Sequence, residues 1–371
     1  MRRNPVGSGT LVVALVVGTL LVPVATPVGA ATASDPYTVL DVERPGDGPV
    51  SIADPSVIRV GDTWYLYGTS STDGFEAWSS TDLTTWTYEG LVWTPTPGSW
   101  NDEGNYWAPE VRVDGTDIWM YYTANERIGV ARASSPTGPF VDQLDHPMVG
   151  AGYAGVGDGV YEPGDGLLVN NDEKSIDAFV LEDSQGRLWL YADIYTPLSA
   201  IAVWPMADET TPVGAPTPVL EQVTDTWEGF VREGAYVLEH EGTFHLLYSG
   251  QGADTPCYAV GVATAPSPTG PFTRRADNPI LKQAPADDFW GPGHLGIVEG
   301  AQGDLLMFFH TKVAPDLGYD RRVRHTGVGF DTAGRVVLDP APPGAGEPVA
   351  DACVLSSGAP TPVPTTPSFT G

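Results

Sequence analysis

The stretch Asp54-Pro-Ser-Val-Ile-Arg-Val-Gly61, followed by Trp64-Tyr-Leu-Tyr67, decides the fold, because its pattern returns four more times. A short Val- and Ile-rich run ends at a glycine, and an aromatic run follows after a turn, which reads as a β-hairpin. The returns are Ala108-Pro-Glu-Val-Arg-Val-Asp-Gly115 before Trp119-Met-Tyr-Tyr; Asp177-Ala-Phe-Val to Gly186 before Trp189-Leu-Tyr; Glu233-Gly-Ala-Tyr-Val to Gly242 before Phe244-His-Leu-Leu-Tyr; and His294-Leu-Gly-Ile-Val to Gly303 before Leu306-Met-Phe-Phe. Ser-Pro-Thr-Gly-Pro-Phe also occurs twice, at 135–140 and 267–272, each time just after a Val-rich strand. Helical periodicity is almost absent. Five units, each able to supply a four-stranded antiparallel sheet, describe an all-β, five-bladed β-propeller. Blade packed on blade buries the faces that one such sheet leaves open and keeps exposed edges short. Strands at 322–330 and 336–338 complete the last blade or close the ring. The competing architecture is a β-sandwich whose hairpins repeat by coincidence.

Outward from the repeats, the two ends of the chain differ from its middle. Residues 1–33 read as a signal peptide: Arg2 and Arg3, an apolar run from about Leu11 to Val22, then small residues around Ala30 to Ala33. The run is short for a membrane span. A secreted, extracellular protein is expected. Residues 341–371 are rich in Pro, Thr, Gly and Ala and read as a disordered tail, which leaves 37–340 as the catalytic-size folded domain. In an oxidising compartment Cys257 and Cys353 pair as a disulfide or remain two unpaired buried thiols; the sequence leaves both open. Neither their number nor their spacing suits a cysteine metal site.

The formal net charge of −29 excludes nucleic acid and an anionic membrane surface as partners, since both would be repelled. It does not oppose a neutral ligand such as a sugar. The chain has 11 Trp and 15 Tyr, which serve as strand filler or as platforms on which sugar rings stack. A monomer is expected.

Counted back from the hairpin glycine, Asp177, Glu233 and His294 each lie nine residues before it, whereas Asp54 and Ala108 lie seven before theirs. A hairpin two residues shorter accounts for the second pair. Equivalent positions in a propeller converge on the central channel, so three carboxylates and a histidine are expected in one small cavity. Clustered carboxylates repel and raise one another's pKa, a cost that calls for a function. Glycoside hydrolysis supplies one: a protonated carboxyl serves the leaving oxygen, an ionised one activates water or attacks the anomeric carbon, and a third orients the acid. Singly, each residue has a bland reading. Asp54 can cap a turn before Pro55 and Asp177 can begin a strand from a turn. Glu233, at a strand entry where a turn residue would be expected, is the hardest to explain away.

At this point the chain resembles a known family. Ala53-Asp54-Pro55-Ser56-Val57, Trp107-Ala108-Pro109-Glu110-Val111, Ile176-Asp177-Ala178, Arg232-Glu233-Gly234, Gly291-Pro292-Gly293-His294 and Ser80-Thr-Asp82-Leu-Thr-Thr-Trp86 look like the signatures of glycoside hydrolase family 43, in order, across 50–340. The resemblance implies a five-bladed propeller and inverting hydrolysis of plant-type polysaccharides such as arabinan, arabinoxylan, xylan or galactan. It makes Asp54 the general base, Glu233 the general acid and Asp177 the residue that orients the acid and tunes its pKa. It places Trp107 at the pocket border, His294 near a bound calcium or sodium ion as the candidate metal residue, and Arg321 or Arg322 on a sugar hydroxyl. His294 can instead be a hydrogen-bonded core residue. No cofactor is required for the chemistry. Two positions depart from the family pattern, Ala178 and Ala235 standing where a proline is usual; neither removes a reacting group. A non-catalytic sugar-binding propeller is the rival reading, and so is a propeller glycosidase of other specificity. The loops 93–106, 150–174 and 314–319 are expected to shape the subsites.

Overall fold

A computed structural model describes residues 36–149, 174–195, 199–223, 226–350 and 353. The signal-like segment 1–33 and most of the 150–174 loop lie outside them. Five antiparallel sheets follow one another along the chain. Blade I is Ala53–Val60, Thr63–Thr69, Phe75–Ser80 and Thr87–Trp93; blade II is Tyr106–Asp114, Asp117–Ala124, Arg127–Ala133 and Val141–Asp142. Blade III is Lys174–Glu182, Leu188–Tyr195 and Ala200–Asp208, which pairs with both Thr211–Pro212 and Thr217–Leu220. Blade IV is Arg232–His240, Thr243–Gly250, Ala259–Ala265 and Thr273–Arg274. Blade V is Trp290–Glu299, Leu305–Lys312, Arg321–Phe330 and Val336–Asp339. The first strands of successive blades touch in cyclic order, with blade V returning to blade I. The fold is the five-bladed propeller that the repeats imply. The strands at 321–330 and 336–339 complete the last blade. Ring closure falls to the N-terminal segment, where Tyr37 and Leu40 donate backbone N–H groups to His325 and Val323 and Ile52 donates to Arg321.

The core is not one mass but five wedges, one per blade–blade interface. Tyr67, Phe75 and Trp93 of blade I meet Tyr106, Met120 and Tyr122 of blade II in the first wedge. The others fill the II/III, III/IV, IV/V and V/I interfaces. Each fully buried large side chain there contributes roughly 1.5–3 kcal/mol, so the aromatic second strands are mainly what glue the ring. The repeated Ser-Pro-Thr-Gly-Pro-Phe is an inter-blade clip. The Tyr67 hydroxyl of blade I donates to the Pro136 carbonyl of blade II at 2.6 Å, and Tyr191 of blade III donates to Pro268 of blade IV at 2.7 Å.

Cys257 and Cys353 form a disulfide, with Cα atoms 5.3 Å apart. This moves the expected end of the folded part. Residues 341–349 line a cleft with blade V, Lys282 Nζ donates to the Gly344 carbonyl, and Cys353 is covalently anchored. Among the described residues no helix is long and apolar enough to cross a membrane.

Candidate active site

In every blade the innermost strand shifts register near its start, immediately after Ala53, Trp107, Ile176, Glu233 and Gly293. The next residue is left-handed in all five cases: Asp54 (φ 51°), Ala108 (46°), Asp177 (58°), Gly234 (61°) and His294 (44°). Left-handed non-glycine residues cost on the order of 1–3 kcal/mol each and persist only where the surroundings hold them. Here the surroundings are a belt of hydrogen bonds between neighbouring blades. The polar residue that ends each aromatic second strand accepts the N–H of the next blade's left-handed residue. Thr69 Oγ1 accepts from Ala108 (2.9 Å), Thr123 Oγ1 from Asp177 (3.2 Å), Ser249 Oγ from His294 (2.8 Å) and His310 Nδ1 from Asp54 (3.1 Å). Blade IV breaks the rule: the Gly234 N–H donates to Asp177 Oδ2 at 3.1 Å.

Blade IV also corrects the register inferred from the hairpin glycines. Blades I, II and IV have two-residue turns (61–62, 115–116, 241–242), whereas blades III and V have five-residue connections (183–187, 300–304). In blade IV the glycine is the second turn residue, after Glu241, while Gly61 and Gly115 come first. Glu233 therefore stands one residue before the position shared by Asp54, Asp177 and His294, and Gly234 occupies it. A Cβ on Gly234 would lie 3.2 Å from the His294 ring. The carboxyl at the site comes from the preceding residue instead, on a side chain one methylene longer.

Asp54 is buried beside a hydroxyl donor, two imidazoles and one arginine. Thr69 Oγ1 donates to its Oδ2 at 2.6 Å. Around Oδ1 stand His294 Nδ1 and His310 Nδ1, both at 3.4 Å, and Arg321 Nη1 at 3.6 Å. Those three distances are electrostatic contacts longer than good hydrogen bonds, so lone pairs on Oδ1 stay open to a water. Burial works to raise the Asp54 carboxyl. At the low pH where Asp54 would take up a proton, the charge then carried by His294, the permanent charge of Arg321 and the then-protonated His310 outweigh it, and the carboxyl is held well below the usual carboxylate range. Burial lowers His294 itself, and it lowers His310 to about 3, so at neutral pH both rings are neutral. The lasting positive charge beside Asp54 is Arg321. Because Nδ1 of His310 accepts the Asp54 N–H, the proton of that ring lies on Nε2.

The other side of the site is acidic. Burial, then the charges of Glu233 and Asp54, push the Asp177 carboxyl well above its usual range. Beside Glu233, Asp177 thus favours its protonated form, and the two carboxyls titrate as a coupled pair. Tyr258 donates its hydroxyl to Glu233 Oε1 at 2.7 Å. Asp177 Oδ2 also lies 3.5 Å from His294 Nδ1, so the His294 ring stands between the two aspartates.

The structure brings Asp54, Asp177, Glu233, His294 and Arg321 together. Of the two candidate arginines, Arg321 lies beside Asp54, whereas the Arg322 guanidinium pairs with Asp320, at 2.5 Å. Trp107 borders a cleft of about 960 Å³ with Tyr106, Thr69, Tyr319 and Arg321; Tyr319 comes from the 314–319 loop. As for the cation expected near His294, its Nδ1 faces carboxylates, and among the described residues no group of three or more His, Cys, Asp or Glu is arranged to hold a metal ion. Calcium ordinarily takes six to eight oxygen ligands. The described acidic and histidine side chains do not by themselves supply that set, and no step below runs through an ion. Thr69, Thr123, Ser249, His310 and Tyr258 were not singled out in the sequence, although a polar residue closing each aromatic second strand was a readable signal for four of them.

An ionised carboxylate, set against a carboxyl pair in which Asp177 is driven toward protonation, suits a glycosidase that works by general acid–base catalysis. Comparison with known proteins agrees. The sequence profile of "Glycosyl hydrolases family 43" matches residues 48–335. The chain belongs to that family and is an inverting glycoside hydrolase. It is 28% identical over 291 residues to the β-D-galactofuranosidase xynD of Aspergillus niger, covering 73% of this chain and 77% of that one. It is 24% identical over 281 residues to the extracellular endo-α-(1→5)-L-arabinanase 1 of Bacillus subtilis, covering 67% and 77%. A crystal structure of a thermostable family-43 glycoside hydrolase superposes with a TM-score of 0.68 at 26% identity, covering 89% of this chain and 99% of that one.

Proposed function

We propose that this enzyme hydrolyses arabinose-bearing plant polysaccharides, arabinan or arabinoxylan before xylan or galactan, with Asp54 as base, Glu233 as acid and Asp177 as the acid's tuning partner. The observation that carries the roles is the electrostatic split between Asp54, held as an anion beside Arg321, and Asp177, driven toward protonation beside Glu233. In the step we envisage, Asp54 takes a proton from a water as that water attacks the anomeric carbon. Glu233 gives its proton to the leaving glycosidic oxygen, and the bond to that oxygen breaks. The configuration inverts because water enters opposite the leaving group. All three working groups are protein carboxyls, so the reading requires no cofactor. The names of relatives support the sugar class: an arabinanase and an arabinoxylan arabinofuranohydrolase are among them. The disulfide suits an oxidising compartment, and one relative is named extracellular, which supports secretion of the enzyme.

The test is incubation with arabinan, arabinoxylan, xylan and galactan, resolving product sizes and following the anomeric signal by NMR from the first turnover. Release of arabinose-containing products with inverted configuration is expected. First-formed product of retained configuration would overturn the roles, and a Glu233→Gln variant that releases sugar at the full rate would return the chain to a sugar-binding propeller.

A further inference from the structure

We propose that Tyr258 is a positioning residue for the acid, a buried strut that fixes the Glu233 carboxyl and joins it to the layer beneath the base. The inference rests on the reading of Glu233 as the acid. Tyr258 is fully buried and cannot touch a substrate. Its hydroxyl donates to Glu233 Oε1 at 2.7 Å. That donation occupies Oε1 and leaves Oε2 as the oxygen that carries and delivers the proton. Its ring lies parallel to the His310 ring, with centroids 5.5 Å apart and planes within 2°. His310 Nδ1 in turn accepts the Asp54 N–H at 3.1 Å. One stack of two rings thus runs from the acid to the base.

The sequence makes room for this strut at one place. The last residue before the register shift is Ala53, Trp107, Ile176 and Glu233 in blades I to IV, but Gly293 in blade V. A Cβ on Gly293 would lie 2.1 Å from the Tyr258 ring. The glycine leaves a gap, and the tyrosine of the neighbouring blade fills it. The segment that carries the tyrosine is itself pinned, because Cys257 is disulfide-bonded to Cys353. Burial and the charges of Glu233 and Asp177 push the Tyr258 hydroxyl well above its usual range, so it remains a donor.

Tyr258→Phe keeps the ring, the stack and the packing on Gly293 and removes only the donor. The variant and wild type are assayed on a natural polysaccharide and on a dinitrophenyl glycoside, whose leaving group departs without a proton. On the polysaccharide, kcat should fall about 10- to 100-fold, the size of one hydrogen bond to a charged group, with KM little changed. On the dinitrophenyl glycoside the rate should stay close to wild type. A variant equal to wild type on both substrates, or slowed equally on both, overturns the proposal. Should Tyr258→Phe fail to fold, 3-fluorotyrosine at 258 tests the same point: it keeps the ring and hydroxyl and changes only the hydroxyl's acidity, so the rate on polysaccharide should change while the rate on the dinitrophenyl glycoside stays put, and no change on either overturns the proposal. Glu233→Gln run in parallel separates the two readings. If it too keeps full rate on polysaccharide, the acid assignment fails; if it alone shows the selective loss, only the role of Tyr258 fails.

Discussion

Asp54 and Asp177 are the same residue type at the same place in the repeat. Both are left-handed and buried, and both have a backbone N–H capped by a second-strand side chain of the preceding blade. Their carboxyls are nevertheless driven in opposite directions, Asp54 well below the usual range and Asp177 well above it. Burial raises both. His294 lies beside both, so what differs is the rest of the company: Arg321, His310 and the Thr69 hydroxyl around Asp54, against the Glu233 carboxyl around Asp177. The propeller delivers five equivalent positions, and their chemistry is then set by neighbours from other strands. Acid and base roles are a property of surroundings.

The largest expected effects test whether the two sides do different work. Asp54→Asn should lose on the order of 10³-fold or more in kcat on every substrate, because activation of water is needed whatever leaves. Glu233→Gln should lose as much on polysaccharide but much less on a dinitrophenyl glycoside. Steady-state rates of both variants on both substrates decide the matter, with circular dichroism to confirm folding. Equal losses on the two substrates for Glu233→Gln would erase the distinction drawn between base and acid.

A smaller effect should follow from changing the company of Asp54 while leaving the carboxyl in place. Arg321→Met removes the one lasting positive charge beside it, at 3.6 Å. Burial then acts with less opposition, the Asp54 carboxyl rises, and it loses its anionic form at a higher pH. The acid limb of the pH–rate profile should move upward, and the rate at neutral pH should fall about 10- to 100-fold, equivalent to roughly 1.4–2.7 kcal/mol of lost charge stabilisation. Arg322→Met, one residue on, should leave the profile unmoved, since that side chain pairs with Asp320 on the exposed side. A shift of the acid limb in Arg322→Met but not in Arg321→Met would reverse the choice between them.

The part of this arrangement legible in the sequence was the part written in the repeat. Short hairpins, their glycines and their aromatic second strands gave five blades, and the positions before the hairpins gave Asp54, Asp177 and His294. Glu233 was reached through a count that is off by one, because Gly242 is the second residue of its turn while Gly61 and Gly115 are the first in theirs. A glycine marks a turn but not its place within the turn. The belt of Thr69, Thr123, Ser249 and His310 was present as a periodic polar residue, yet its meaning depends on which blade neighbours which. Tyr258 had no signal at all: it enters from the connection before a third strand, and only the missing side chain of Gly293 explains where its ring goes. The disulfide stood as one of two open readings until the ring placed the two cysteines 5.3 Å apart at their Cα atoms.

The smallest effect should be the most diagnostic, because it predicts a gain. Asp177 is raised by burial and by the charges of Glu233 and Asp54, so folding favours its protonated form. A group whose pKa is raised in the folded state contributes stability that is present below its unfolded pKa, about 3.9, and that is lost as pH rises toward the folded value. At neutral pH the native state therefore bears the cost of a strained acidic pair. Asp177→Asn removes that cost and can still accept the Gly234 N–H through its amide oxygen. The variant should melt a few degrees higher than wild type near neutral pH, and the advantage should shrink as pH falls below the folded pKa, until below about 3.9 the wild-type aspartate is mostly protonated in both states. The same change removes a negative neighbour from Glu233, so the alkaline limb of the pH–rate profile should move to lower pH while the maximal rate drops. The limbs belong to the coupled pair and not to either carboxyl alone, which is why melting curves and rate profiles are needed together. An Asp177→Asn enzyme that melts lower at neutral pH, or whose alkaline limb moves upward, would mean that Asp177 is held as an anion like Asp54 and that the two sides of the channel are not opposed.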